Sequence, residues 1–169
     1  MTLTSLVVLA AGLAVAVVTD TRSRRIPNWL TGSMMVAALA LAFAGLGAVT
    51  PGRAALGIGA GLLLMLPGHI IGATGAGDVK LMAAVGGFVG PALAFNAFLG
   101  TALAGGVFAV AVAMRRGRLL DTIAGTGQLV TAPSAAKAEI EAPARANRFA
   151  YGPAIAVGSL LAVLFTATW

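Results

Sequence analysis

"LMAAVGGFVGPALAFNAFLGTALAGGVFAVAVAM", residues 81–114, decides how many times this chain crosses a membrane. It carries no formal charge, and it is bounded by Lys80 and Arg115. At 1.5 Å per residue one continuous helix would reach about 51 Å, against roughly 30 Å of hydrocarbon for a single crossing. A single crossing would also put Lys80 and the basic cluster at Arg115 on opposite sides, against the tendency of basic loops to stay on the cytoplasmic face. Two short or tilted helices, turning near Gly90-Pro91, keep both on one side. The stretch therefore reads as two crossings.

Working outward, four further apolar runs lie at about 3–19, 29–49, 54–72 and 149–168, and the stretch itself divides into 79–91 and 92–114. Hydrophobic residues make up 59% of the chain and charged residues only 9%, with a mean hydropathy of +0.98. Soluble domains carry about a quarter charged residues, so the composition excludes an ordinary globular chain. A transmembrane barrel needs alternating polar and apolar residues, whereas these runs are apolar on every side. The expected fold is all-α: a polytopic membrane bundle of about six transmembrane helices, one domain over 1–169, with a cytoplasmic loop over 115–148. The first run has no basic residues before it and arginines after it, which argues for an anchor with its N-terminus outside and against a signal peptide.

That orientation sorts the charges. Arg22, Arg24, Arg25, Lys80, Arg115, Arg116, Arg118, Lys137, Arg145 and Arg148 fall on the cytoplasmic side, and Arg53 alone falls outside. The net charge of +6 is then a device of topology and gives no reason to expect nucleic acid. Cysteine is absent, so disulfides and thiolate metal sites are excluded. Glycine pairs at four-residue spacing, Gly57 with Gly61 and Gly86 with Gly90, read as close helix contacts. Met65, Met82 and Phe88 read as packing. In the 115–148 loop Leu119, Leu120 and Ile123 suit the membrane interface, and Ser134 could cap a short helix over 135–142. Asp121, Glu139 and Glu141 read there as solvated charges.

Only two acidic residues border the first five spans. Asp20 closes span one and Asp78 opens span four, so topology puts both at one depth on the cytoplasmic side. Bland explanations exist for each. Asp78 could be an N-cap in favourable interaction with the helix dipole. Asp20 could pair with Arg22, Arg24 or Arg25, although a helix C-terminus is the wrong end for a carboxylate. The glycines of "GATGAGDVK" (72–80) fit neither a P-loop nor a dinucleotide fingerprint, since no Gly-Lys pair and no third glycine follow. His69 is the only histidine, too little for a metal site. Paired carboxylates remain. Two brought close together cannot both ionise cheaply; one can draw a proton from water while the other donates to a carbonyl oxygen. That set is sufficient to hydrolyse a peptide bond with no cofactor or metal. Gly75 and Gly77 would let the backbone turn tightly beside it.

Three segments resemble the aspartic prepilin peptidases, polytopic membrane proteases with a G-x-G-D motif. "DTRSRRIPNWLT" (20–31) and "GAGDVKLMAAVG" (75–86) resemble their two signature segments, and "YGPAIAVG" (151–158) resembles a glycine-proline segment opening the last helix. The resemblance implies that Asp20 and Asp78 are catalytic and act together on water. It implies supporting roles for Gly75, Gly77, Lys80, Ile26, Pro27, Asn28, Tyr151, Gly152 and Pro153. It implies a prepilin substrate with a short basic leader before a hydrophobic helix, cleaved at the cytoplasmic face of the bacterial inner membrane. The missing cysteines and missing N-terminal extension place the resemblance with the compact branch serving tight-adherence or Flp-type pili, where N-methylation is not implied. Two other functions compete. One is an intramembrane aspartic protease of the presenilin or signal-peptide-peptidase kind, which cuts deeper in the bilayer. The other is a proton- or cation-coupled transporter, for which Asn96 alone reads as lining a path through spans two, three or five. The lipid bilayer is the other expected partner, and a homo-oligomer is left open.

Overall fold

A computed structural model describes residues 2–115 and 151–167; the 115–148 loop, with its expected helix over 135–142, falls beyond Arg115 almost wholly outside them. Among the described residues every regular element is a helix: α1 (Leu3–Ser23), α2 (Asn28–Phe43), α3 (Pro51–Ile70), α4 (Ala76–Val89), α5 (Pro91–Arg115) and α6 (Gly152–Ala167). Three of them, α1, α3 and α5, are long and apolar enough to cross a membrane; α2 and α6 are shorter apolar helices.

The opening stretch divides where expected. α4 ends at Val89, and Gly90 turns the chain with φ of 80° while its N–H donates to the Gly86 carbonyl at 2.7 Å. That backbone conformation strains any residue with a Cβ. Pro91 then opens α5, a first-turn position that does not need an N–H.

α4 is the centre of the bundle. Its 14 residues rise only about 21 Å, too short for the roughly 30 Å of hydrocarbon. It does not meet that hydrocarbon: the side chains from Leu81 to Val89 are all buried, as are Asp78 and Val79. A helix apolar on every side is one surrounded by protein, and α1, α2, α3, α5 and α6 all pack against this one. Met65, Met82 and Phe88 lie in the same core.

Glycines let two helix pairs come together at backbone distance. A Cβ on Gly57 of α3 would overlap the Gly86 carbonyl of α4, one on Gly86 would overlap Gly57's, and one on Gly61 would overlap Met82's. On the other side Gly158 of α6 lies against the backbone of Gly100 and Thr101 in α5. Without a hydrophobic drive between helices in lipid, such approach is what supplies van der Waals contact. The bundle is thus built from a locked α3/α4 pair and a locked α5/α6 pair.

Two boundaries differ from the sequence reading in a way that matters. The first span was expected to end at 19, yet α1 continues to Ser23. The hydroxyls of Thr19, Thr21 and Ser23 donate to the carbonyls of Val15, Val17 and Thr19 at 2.9, 2.7 and 2.7 Å. Polar side chains satisfied by their own helix do not end it. Asp20 therefore lies one turn inside α1. The second span was expected to reach 49, but α2 ends at Phe43. Gly45, at φ of 71°, and the Leu46 N–H to Leu41 carbonyl bond of 2.9 Å form a glycine-capped end there.

Candidate active site

The site is assembled at the end of the bundle where α1 finishes and α2, α4 and α6 begin. After Asp20 the chain runs one more turn to Arg24, whose left-handed backbone (φ of 51°) closes the helix with its N–H on the Asp20 carbonyl at 2.8 Å. Ile26 is buried, and Pro27 precedes the first helical residue of α2. Pro27 was expected within that first turn. It is the N-cap instead, and its carbonyl accepts from Leu30 and Thr31 at 3.2 and 3.3 Å.

Asp78 was expected as a possible N-cap of α4; the N-cap is Gly75, and Asp78 is the third residue inside. Its Oδ2 accepts the Gly75 N–H at 2.9 Å. This is half a capping box, since glycine has no side chain to return the bond. The position puts the carboxylate over an unsatisfied helix N-terminus, in favourable interaction with its dipole. Gly77 is close-packed: a Cβ there would lie 3.1 Å from the Ile26 Cβ, so the bare residue lets α4 sit against the α1–α2 connection without displacing Ile26. Two residues past Asp78, Lys80 Nζ donates to Asn28 Oδ1 at 2.9 Å. That bond ties the start of α4 to the start of α2.

The Asp20 carboxylate, also buried, finds its donor far away in sequence. Gly152 N–H, the first of α6, donates to Asp20 Oδ2 at 2.7 Å. Standing near the C-terminal end of its own helix, Asp20 gains the positive end of another one. Pro153, second in α6, lacks an N–H at a position where none is needed. Tyr151, just before α6, is half-buried, and a Cβ on Gly105 of α5 would lie 2.7 Å from its phenol oxygen. Two adjacent residues thus tie α6 down, Gly152 to Asp20 of α1 and Tyr151 to Gly105 of α5, and α6 also packs against α4, which carries Asp78.

All eleven residues singled out in the sequence belong to this end of the bundle. The residue that sequence reasoning missed is Gly105, the floor beneath Tyr151; no spacing rule marks it among 23 glycines. His69 sits exposed in the last turn of α3. Its Nδ1 lies 3.1 Å from the Thr74 carbonyl, which makes that nitrogen the donor. It clasps the α3–α4 connection. Asn96 is exposed on α5 and does not line the interior. Among the described residues no three His, Cys, Asp or Glu side chains group as metal ligands.

Comparison with known families gives one result. The model of the type IV leader peptidase family matches residues 7–110, more than half of the chain and the part that holds both aspartates. The Tyr151–Pro153 segment lies beyond the match. No curated protein matches the chain, and no solved structure does. The extent of the family match is decisive for membership: this membrane chain is a peptidase that belongs to the type IV leader peptidase family.

Proposed function

We propose that the protein is an aspartic endopeptidase that removes the short basic leader from type IV prepilins of the Flp kind, with Asp20 and Asp78 as its catalytic pair. One observation carries the reading. The helices that carry the acids, α1 with Asp20 and α4 with Asp78, pack against each other and both against α6, whose first N–H bonds Asp20, and this supports a meeting of acids 58 positions apart in sequence. Two carboxylates brought together there would share one proton. The ionised carboxylate takes a proton from water as the water oxygen attacks the scissile carbonyl carbon, and the protonated partner gives its hydrogen to the carbonyl oxygen. The resulting gem-diol collapses: the amide nitrogen takes the proton that the first carboxyl drew from water, a gem-diol hydroxyl returns its proton to the second, the C–N bond breaks, and a carboxylic acid and an amine leave. No covalent enzyme intermediate is required.

Supporting roles follow from contact. Gly75 and Gly152 hold the two carboxylates through their N–H groups. Gly77 and Ile26 bring α4 against the α1–α2 connection, and Lys80 with Asn28 bolts it there. An orientation with this end facing the cytoplasm of a bacterial inner membrane is supported by the charge distribution. A substrate helix leaving the bilayer would meet the acids at its membrane edge.

The test is leader removal from a co-expressed prepilin by the wild-type chain and by Asp20→Asn and Asp78→Asn. The reading expects both variants to leave the precursor uncut; complete processing by either one contradicts it. A deeper-cutting intramembrane protease is disfavoured by exposed Arg22 and Arg25, which sit within a turn or so of Asp20 and suit the interface better than the hydrocarbon. Transport is disfavoured by the outward position of Asn96.

A further inference from the structure

We propose that the N-terminus of α6 is a positioning element of the catalytic site, with the Tyr151–Gly152 peptide bond as the joint that fixes Asp20 relative to Asp78. This rests on the aspartic peptidase reading above and adds an element that the family match, which stops at residue 110, does not cover.

Three observations carry it. The bond from Gly152 N–H to Asp20 Oδ2, at 2.7 Å, is buried, and a charge-assisted bond of that kind is about twice as strong as a neutral one. There is no spare room around it: a Cβ on Gly152 would stand 2.9 Å from Asp20 Oδ2, 3.1 Å from its Cβ and 3.3 Å from its Cγ. Finally, α6 is not free to drift. Gly158 locks it to Gly100 and Thr101 of α5, and the Tyr151 ring rests on Gly105 of the same helix. Asp78 belongs to the other locked pair, α3/α4. The Tyr151–Gly152 joint is where the α5/α6 pair takes hold of the first acid beside the second. Gly152 touches no reacting atom in this account; it acts through Asp20.

The chain contains one tyrosine, which makes the joint addressable. Full-length protein in lipid nanodiscs, labelled with carbonyl-13C tyrosine and 15N glycine, gives a single two-label amide signal, that of Gly152. The account expects this amide proton downfield in the wild-type protein and moved upfield in Asp20→Asn. It expects Gly152→Ala to stay folded with a lowered melting temperature while kcat for leader removal falls about tenfold, a part of the 100-fold that displacements of about an ångström in a reacting constellation cost. KM should change little. A Gly152 amide indifferent to Asp20→Asn, or Gly152→Ala cleaving at the wild-type rate, overturns the inference. Should Gly152→Ala fail to fold, the amide comparison between wild type and Asp20→Asn still decides it. A wild-type protein that cuts no prepilin, with an amide that does follow Asp20, overturns the prepilin-cleaving reading and leaves the α6 contact standing.

Discussion

The two acids are held in opposite ways. Asp78 takes its N–H from Gly75, three residues before it, at the start of its own helix. Asp20 takes its N–H from Gly152, 132 residues later, at the start of another. One arrangement is complete as soon as α4 forms. The other exists only when the first and last helices of the bundle have met. Both end with a carboxylate over a helix N-terminus, so the electrostatic result is similar while the folding requirement is not. Damage to packing far from the site should therefore reach Asp20 before it reaches Asp78.

The largest effect should come from the acids themselves. Asp20→Asn and Asp78→Asn are each expected to lower leader removal by about 1,000-fold or more, within the range of a lost acid or base. The double variant should be no worse than either single one, because groups that act as a unit are not additive. Rates that multiply would break the idea of one shared site. Next come the two glycine locks. Gly158→Val should lower stability by about 3 kcal/mol, the upper part of the range for overpacking, and should cost activity through Asp20. Gly86→Val, which drives a side chain into the Gly57 carbonyl, should be at least as damaging to stability. Thermal melting in detergent alongside cleavage assays separates the two.

A finer comparison sets Gly152→Ala against Gly75→Ala. A Cβ at 152 meets the Cβ of Asp20 as well as its oxygen, whereas a Cβ at 75 meets only the tip of Asp78, at 3.1 Å from Oδ2. The flexible tip can yield. Gly75→Ala is expected to cost a few-fold in kcat, less than the tenfold expected at 152; the reverse order would contradict the view that Asp20 is the more tightly constrained acid. Smallest of all is the Lys80–Asn28 bond, which lies toward solvent. Lys80→Met should cost about 1 kcal/mol, the usual worth of one hydrogen bond. Asn28→Asp, which still accepts from Lys80, should cost less.

Much of this was legible in the sequence, for identifiable reasons. The uncharged run at 81–114 and the basic residues at its ends fixed the turn at Gly90-Pro91, because length and charge are properties of the chain alone. Gly57 and Gly86 announced close packing through their spacing with Gly61 and Gly90, although Gly90 itself proved to be the turn. The polar tail Thr19–Ser23 misleads, because apolar content does not mark the limit of a helix whose hydroxyls bond back to its own carbonyls. Asp78 was legible as a helix-start acid, one turn out of place, since capping is local. The donor to Asp20 was not legible. A contact spanning 132 residues depends on how helices stack, and nothing in "DTRSRR" specifies it. Asp20 looked badly placed at a helix C-terminus, and the resolution of that conflict lay in the last helix.

The central claim is that Asp20 and Asp78 face one another across a single site, and the absence of cysteine from the chain permits a direct measurement. The double variant Asp20→Cys/Asp78→Cys, in native membranes, is treated with a short bifunctional thiosulfonate and examined for an intramolecular crosslink. The account predicts that the two positions are joined in most molecules. If a monofunctional reagent labels each cysteine singly, yet the bifunctional one never joins them, the two acids do not share a site.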